Sequence, residues 1–420
     1  MSQRGSATRE RLTVRGVPMD ANLRVLAVAT LVNTVGNGAL TTTFALYFTH
    51  VVGLSATQVG TALSVAALVG LLVQVPLGHL GDVRGPRGVL RWLTLGAGAA
   101  TLGLLLTHNL LLLCLVLGVE AFFDRGAGAV RSGIIARVAE GGRGVRFKAY
   151  LRAVTNVGIS VGAGLGGLAL WVDQTWAYLG VFVLNASTFA ATALLLGRLP
   201  RLAPAPDRPV GESRIQVLHD TPFVLVSVLT GVFAMHFFVI ELAMPLWIAT
   251  HTSAPKSLVA LTLLVNTVAV ALFQVRLSRG ADSVPSAART MVIGGAWIVG
   301  GFALIALAGG RGVWAATALL LAGAAVHVVG EMIGSGGQWG VQMGLAPRER
   351  QGQYQGFAGM SFSLASILAP PLVALLCIDW GGPGWLVMGG LIVGAAVLNV
   401  PASRWALRTR ERYGVLTHSG

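Results

Sequence analysis

Charge is what this sequence has least of. Only 11% of its 420 residues are Asp, Glu, Lys or Arg, where a soluble globular chain carries about 25%. Such a chain cannot present a polar surface to water on every side. Cysteine is nearly absent too. Cys114 and Cys377 stand far apart, each inside an apolar stretch, which excludes a disulfide framework. No HExxH, P-loop or nucleophile-elbow pattern occurs, so the reading expects no enzyme activity, no cofactor and no metal site. Gly162, Gly164 and Gly167 do spell GxGxxG. They follow no strand and no acid stands about 20 residues onward, so a dinucleotide fold is excluded.

What the sequence does have is long apolar runs. Apolar residues make up 54% of the chain, and mean hydropathy is +0.73. A bilayer-spanning helix needs about 20 mostly apolar residues. Cutting at charges, prolines and turn residues yields twelve such spans. The first six lie near 23–48, 57–78, 89–107, 110–132, 148–171 and 176–196. The second six lie near 222–249, 257–277, 289–309, 313–340, 354–377 and 384–402. The fold class is therefore an all-α membrane protein of twelve transmembrane helices.

The net charge of +14 is a topology signal. Of the 30 Lys and Arg residues, all but Lys256 and Arg311 fall on one side of this arrangement. That is the positive-inside bias, which expects both termini in the cytoplasm of a bacterial inner membrane. The basic face meets anionic lipid, and no nucleic-acid partner is expected. Residues 1–22 read as a cytoplasmic tail and 403–420 as a second. Residues 197–221, with Pro200, Pro204, Pro206 and Pro209, read as an extended linker between six-helix bundles over 23–196 and 222–402. Self-similarity supports that division. Gln74-Val75 with Asp82 recurs 200 residues later as Gln274-Val275 with Asp282, as expected of two six-helix repeats with a binding site between them.

Gly78-His79-Leu80-Gly81-Asp82-Val83-Arg84-Gly85-Pro86-Arg87 joins spans 2 and 3. It resembles the GxLxDRxGRK loop motif of the major facilitator superfamily, and Asp282 marks a degenerate copy. The resemblance implies a gate lock built on Gly78, Asp82, Arg84, Gly85 and Arg87. Asp82 also stands near the start of span 3, where a helix dipole favours a carboxylate. In span 5, Gly158, Gly162, Gly166 and Gly167 resemble the GxxxGPxxGG signature of the superfamily's drug:proton antiporters, with Ala163 in place of proline. Glycines at every fourth position form a smooth stripe where another helix can approach closely, either as ordinary packing or as a sliding contact between the halves.

Ionisable groups inside apolar spans are costly and mark pathways or proton relays. His327, Glu331, Ser335, Gln338 and Gln342 form one polar stripe along span 10. Span 4 holds Glu120 and Asp124, with Arg125 and Arg131; Asn33 and Asn37 lie in span 1, Arg152 in span 5 and Glu241 in span 7. Mutual neutralisation is expected of Asp124 with Arg131 or Arg152, and proton coupling of Glu331, with His327 tuning it. Glu241 lies near Pro245, where the helix is expected to bend, and serves cargo contact, a proton site or a structural pair. His236 reads as an ordinary packed histidine. The favoured function is proton-coupled efflux of a small amphipathic compound by a monomer. A metabolite symporter is the alternative within transport, and a non-transporting receptor or scaffold the alternative outside it.

Overall fold

The structure, a computed structural model, describes residues 12–14, 17–138, 142–205 and 215–413. Most of the amino tail, the 206–214 part of the linker and the last seven residues, 414–420, lie outside the described residues. Twelve long helices follow one another among the described residues. They are α1 (Ala21–Val51), α2 (Ala56–Arg84), α3 (Pro86–Leu106), α4 (Leu110–Val138), α5 (Gly142–Val172) and α6 (Thr175–Leu196). The second set is α7 (Thr221–His251), α8 (Leu258–Leu277), α9 (Val284–Leu307), α10 (Val313–Leu345), α11 (Arg348–Asp379) and α12 (Gly382–Arg408). Eleven are long and apolar enough to cross a bilayer. The remaining one is α4, interrupted by Glu120, Asp124, Arg125, Arg131 and Arg137. A two-stranded ribbon, Thr13–Val14 with Val17–Pro18, precedes α1.

Helix starts follow local chemistry. Asp20 accepts from the backbone N–H groups of Asn22 and Leu23 at the head of α1. Ser55 and Gln58 form a reciprocal capping box on α2. Gly85 ends α2 and begins α3 at φ +90°, a left-handed conformation that an L side chain resists. Close to Pro245, where the sequence expects a bend, α7 opens into a π turn at Val239–Ala243. Proline has no N–H to return to the carbonyl four residues back, and that carbonyl belongs to Glu241.

Within the first six helices, α1 packs on α5 and α6, α2 on α4, and α3 on α4 and α6. Within the last six, α9 packs on α10 and α12, and α7 on α11 and α12. Between the groups, α2 and α4 meet α11, while α5 meets α8 and α10. The α5 glycine stripe takes no part in that crossing, which corrects the sliding-contact reading. A Cβ on Gly162 would come within 2.8 Å of Ala39 N, and one on Gly166 within 2.7 Å of Ala39 O. Gly158 faces Thr34, so the stripe seats α5 on α1, while Gly167 opens onto free space.

Candidate functional site

Two polar assemblies join the first six helices to the last six. The outer one is built on Asp82, which is buried near the end of α2. Its Oδ1 accepts from Arg137 Nη2 of α4 at 2.5 Å and from the Gly352 N–H at 3.0 Å. Its Oδ2 accepts from the Gln353 N–H at 2.8 Å. Gly352 and Gln353 are in the first turn of the α-helical part of α11, so the carboxylate satisfies orphan donors at a positive helix end. The sequence placed Asp82 at the head of α3. In the structure Gly85 occupies that cap position without a side-chain bond, and the helix that Asp82 caps is α11.

Close backbone approach makes this contact possible. A Cβ on Gly133 of α4 would come within 2.8 Å of Gly352 Cα, and one on Gly78 would run into the Gly352 carbonyl. Arg137 also donates to the Glu349 carbonyl at 2.5 Å and to the linker carbonyl of Ala203 at 3.4 Å. The other motif residues are placed differently. Arg87 donates to the Gly197 carbonyl at the end of α6, and Arg84 is exposed. Asp282 is exposed and forms no ion pair among the described residues.

The inner assembly lies along α10. His327, Glu331, Ser335, Gln338 and Gln342 are all buried on that helix. Arg152 of α5 reaches across to it, donating through Nη2 to Glu331 Oε1 and through Nη1 to Ser335 Oγ at 2.8 Å. Asn266 of α8 donates to Glu331 Oε2 at 3.0 Å, and His327 Nδ1 lies 3.7 Å from that oxygen. The Arg152 guanidinium also sits 4.5 Å from the centre of the Phe237 ring, a favourable cation–π position. Farther along, Gln342 donates to Thr230 at 3.0 Å, and Lys148 of α5 donates to Gln355 at 3.1 Å. Glu241, in the π turn of α7, is within electrostatic reach of Glu331 and Arg152.

The acids of α4 stand apart from this assembly. Arg152 pairs with Glu331 and not with Asp124, and Asp124 forms no ion pair among the described residues. Asp124 instead lines a small cavity with Asn33 and Arg131. It also lines a second cavity, of about 250 Å³, with Arg125 and Gln74. Glu120 stands one turn away from Asp124 and interacts with Asp124 and Arg125. Asn37 is half-buried on α1. Sequence reasoning did not select Arg137, Gly352, Gln353 or Asn266. Arg137 had one signal, an arginine in the last turn of a helix already rich in charge; the others had none.

Eleven helices long and apolar enough to cross a bilayer, with an interlock at one end and a buried charged cluster between the two helix groups, make up the frame of a membrane protein. The Major Facilitator Superfamily family model matches residues 26–370, and the chain belongs to that superfamily, whose members are transporters and not enzymes. A Deinococcus radiodurans protein provisionally named a sugar efflux transporter is 32% identical over 174 residues, 39% of this chain and 42% of that relative. The match thus spans less than half of either protein. Among solved structures, a bacterial homologue of the iron transporter ferroportin in an outward-facing state aligns with TM-score 0.72 and 14% identity, over 92% of this chain and 99% of that one. The human organic anion transporter MFSD10 aligns with TM-score 0.67 and 13% identity, over 90% and 98% of the two chains. The E. coli fucose:proton symporter FucP aligns with TM-score 0.66 and 13% identity, over 91% and 98%. At these identities the likeness is one of fold.

Proposed function

We propose that this chain is a proton-coupled exporter of a small organic compound, working by alternating access between two six-helix bundles. The observation that carries the reading is the ion pair from Arg152 on α5 to Glu331 on α10. It joins the two helix groups through a buried carboxylate, and a proton on that carboxylate removes its charge. Protonation releases Arg152, and the contacts that hold α5 to α10 weaken. Loss of one partner from a buried pair costs about 3–5 kcal/mol, enough to reverse a two-state preference.

The basic end of the bundle faces the cytoplasm in this reading, with both termini there, and the Asp82 interlock is the cytoplasmic gate in its closed form. A proton enters from outside, breaks the Arg152–Glu331 pair, and the gate opens inward. Cargo binding inside then replaces the proton. Export is supported by the glycine pattern of α5 and by the name of the D. radiodurans relative, which adds sugars to amphipathic compounds as a cargo class. A bacterial inner-membrane monomer fits the charge distribution and the completeness of each helix group.

The test is flux in proteoliposomes under an imposed pH gradient, with ethidium and radiolabelled lactose as probes of the two cargo classes. The wild-type chain accumulates one of them against its gradient. Glu331→Gln exchanges that probe without accumulating it. Full proton-driven accumulation by Glu331→Gln contradicts the reading.

A further inference from the structure

Among the described residues, three buried imidazole nitrogens in the last six helices have no hydrogen-bond partner. Both nitrogens of His236 on α7 and Nε2 of His327 on α10 are buried and unpaired, and the two residues are 0% and 1% exposed. A buried donor or acceptor left unsatisfied costs about 1–3 kcal/mol, so a pair of such rings side by side calls for a ligand. Their ring centroids are 5.4 Å apart. Glu331 joins them: one donor atom from each of His236, His327 and Glu331 falls within 4.8 Å of the other two.

We propose that His236, His327 and Glu331 form a binding site for a divalent transition-metal cation, which competes with Arg152 for the Glu331 carboxylate. Two imidazole nitrogens with one carboxylate oxygen is a donor set that holds Zn²⁺ with a fourth position open, and it suits neighbouring first-row cations. Donors about 2.0–2.2 Å from a tetrahedral ion stand roughly 3.4 Å from one another, so the three groups need to draw in by about 1 Å, a side-chain adjustment. Phe302, stacked on His327 with centroids 5.6 Å apart, and Phe233, 5.3 Å from His236, wall the cluster with apolar surface. Asn266, already bonded to Glu331 Oε2, is placed to orient the ligating carboxylate.

The competition follows from charge. In this structure Arg152 takes Glu331 Oε1, and a guanidinium and a divalent cation repel strongly at contact distance in a low-dielectric site. The ion therefore enters when Arg152 leaves. Arg152 belongs to α5 and the ligands to α7 and α10, so metal binding favours the arrangement in which those helices have separated. The site shares Glu331 with the proposed proton step but does not rest on that reading, because metal binding is measured without cargo and without a pH gradient.

Zn²⁺ titrated calorimetrically into the purified full-length protein in detergent tests the proposal. One saturable site is expected in the wild-type chain, tighter by at least tenfold in Arg152→Gln. It weakens by at least tenfold in His236→Ala and in His327→Ala; His327→Gln replaces the latter if it does not yield a monodisperse protein. Binding that appears only after Arg152→Gln also supports the competition. Absence of saturable binding in both the wild type and Arg152→Gln overturns the proposal. So does binding that survives both histidine variants unchanged, because the ion then sits on exposed histidines such as His50 or His108.

Discussion

Asp82 and Gln353 lie on different helix groups, and the carboxylate of the first accepts the backbone N–H of the second at 2.8 Å. The bond makes a loop-motif acid the amino-terminal cap of a distant helix. One charge thereby serves three partners: two orphan N–H groups of α11 and the Arg137 guanidinium of α4. Separating the helix groups at this end would expose all three at once, which is what the proposed gate requires.

Asp82→Asn tests that arrangement. The amide keeps one acceptor oxygen but loses the charge that serves Arg137 and the helix end. A hydrogen bond to a charged group contributes about 1.5–3 kcal/mol, so the closed state is destabilised by about 2–3 kcal/mol. Arg137→Gln produces a loss of similar size, and the double variant is less than additive because both changes remove one interaction. Strict additivity in denaturation or accessibility measurements contradicts a shared interlock.

Gly78→Ala should prevent the same closure by sterics alone. Its Cβ meets the backbone carbonyl of Gly352, which cannot rotate away as a side chain can. Gly60→Ala on the same helix faces open space and gains up to about 1 kcal/mol of helix propensity. A cysteine accessibility assay at the α2–α11 contact should report opening in the first variant and none in the second.

The α5 stripe makes a different prediction, because it packs within the first helix group. Gly162→Leu collides with Ala39 and Gly38 of α1 and should lower the melting temperature and the yield of folded protein. Gly164→Leu, two residues on and facing open space, should leave both near wild type. Equal behaviour of the two would remove the packing role.

Orientation is tested by labelling in a background without Cys114 and Cys377. Ser253 and Ser283 are exposed at opposite ends of α8 and α9. A membrane-impermeant maleimide should reach Ser253→Cys in intact cells and Ser283→Cys only after permeabilisation. The reverse pattern overturns the assignment of the basic end to the cytoplasm.

The twelve helices were legible because each is a long apolar run bounded by turn residues, and the polar stripe of α10 because its residues share one helical face. The partners of that stripe were not legible. Arg152 reads equally well as a partner for Asp124, and only the packing of α5 against α10 decides for Glu331. Asp82 was legible as a motif residue. Its partners Gly352 and Gln353 were invisible because they act through backbone N–H groups, which every residue but proline has. His236 carried no periodic signal, and its relation to His327 exists only once α7 and α10 pack together.

The central claim is that protonation of Glu331 frees Arg152 and lets the basic end of the bundle open. It can be measured without knowing the cargo. Spin labels at Gly88→Cys and Arg408→Cys, both exposed at that end and on different helix groups, report its width by electron–electron resonance. Lowering the pH should shift the wild-type distance distribution towards longer values. Glu331→Gln should show the long distances at every pH and no further response. A Glu331→Gln variant that keeps the short distance at high pH and lengthens on acidification as the wild type does would contradict the account.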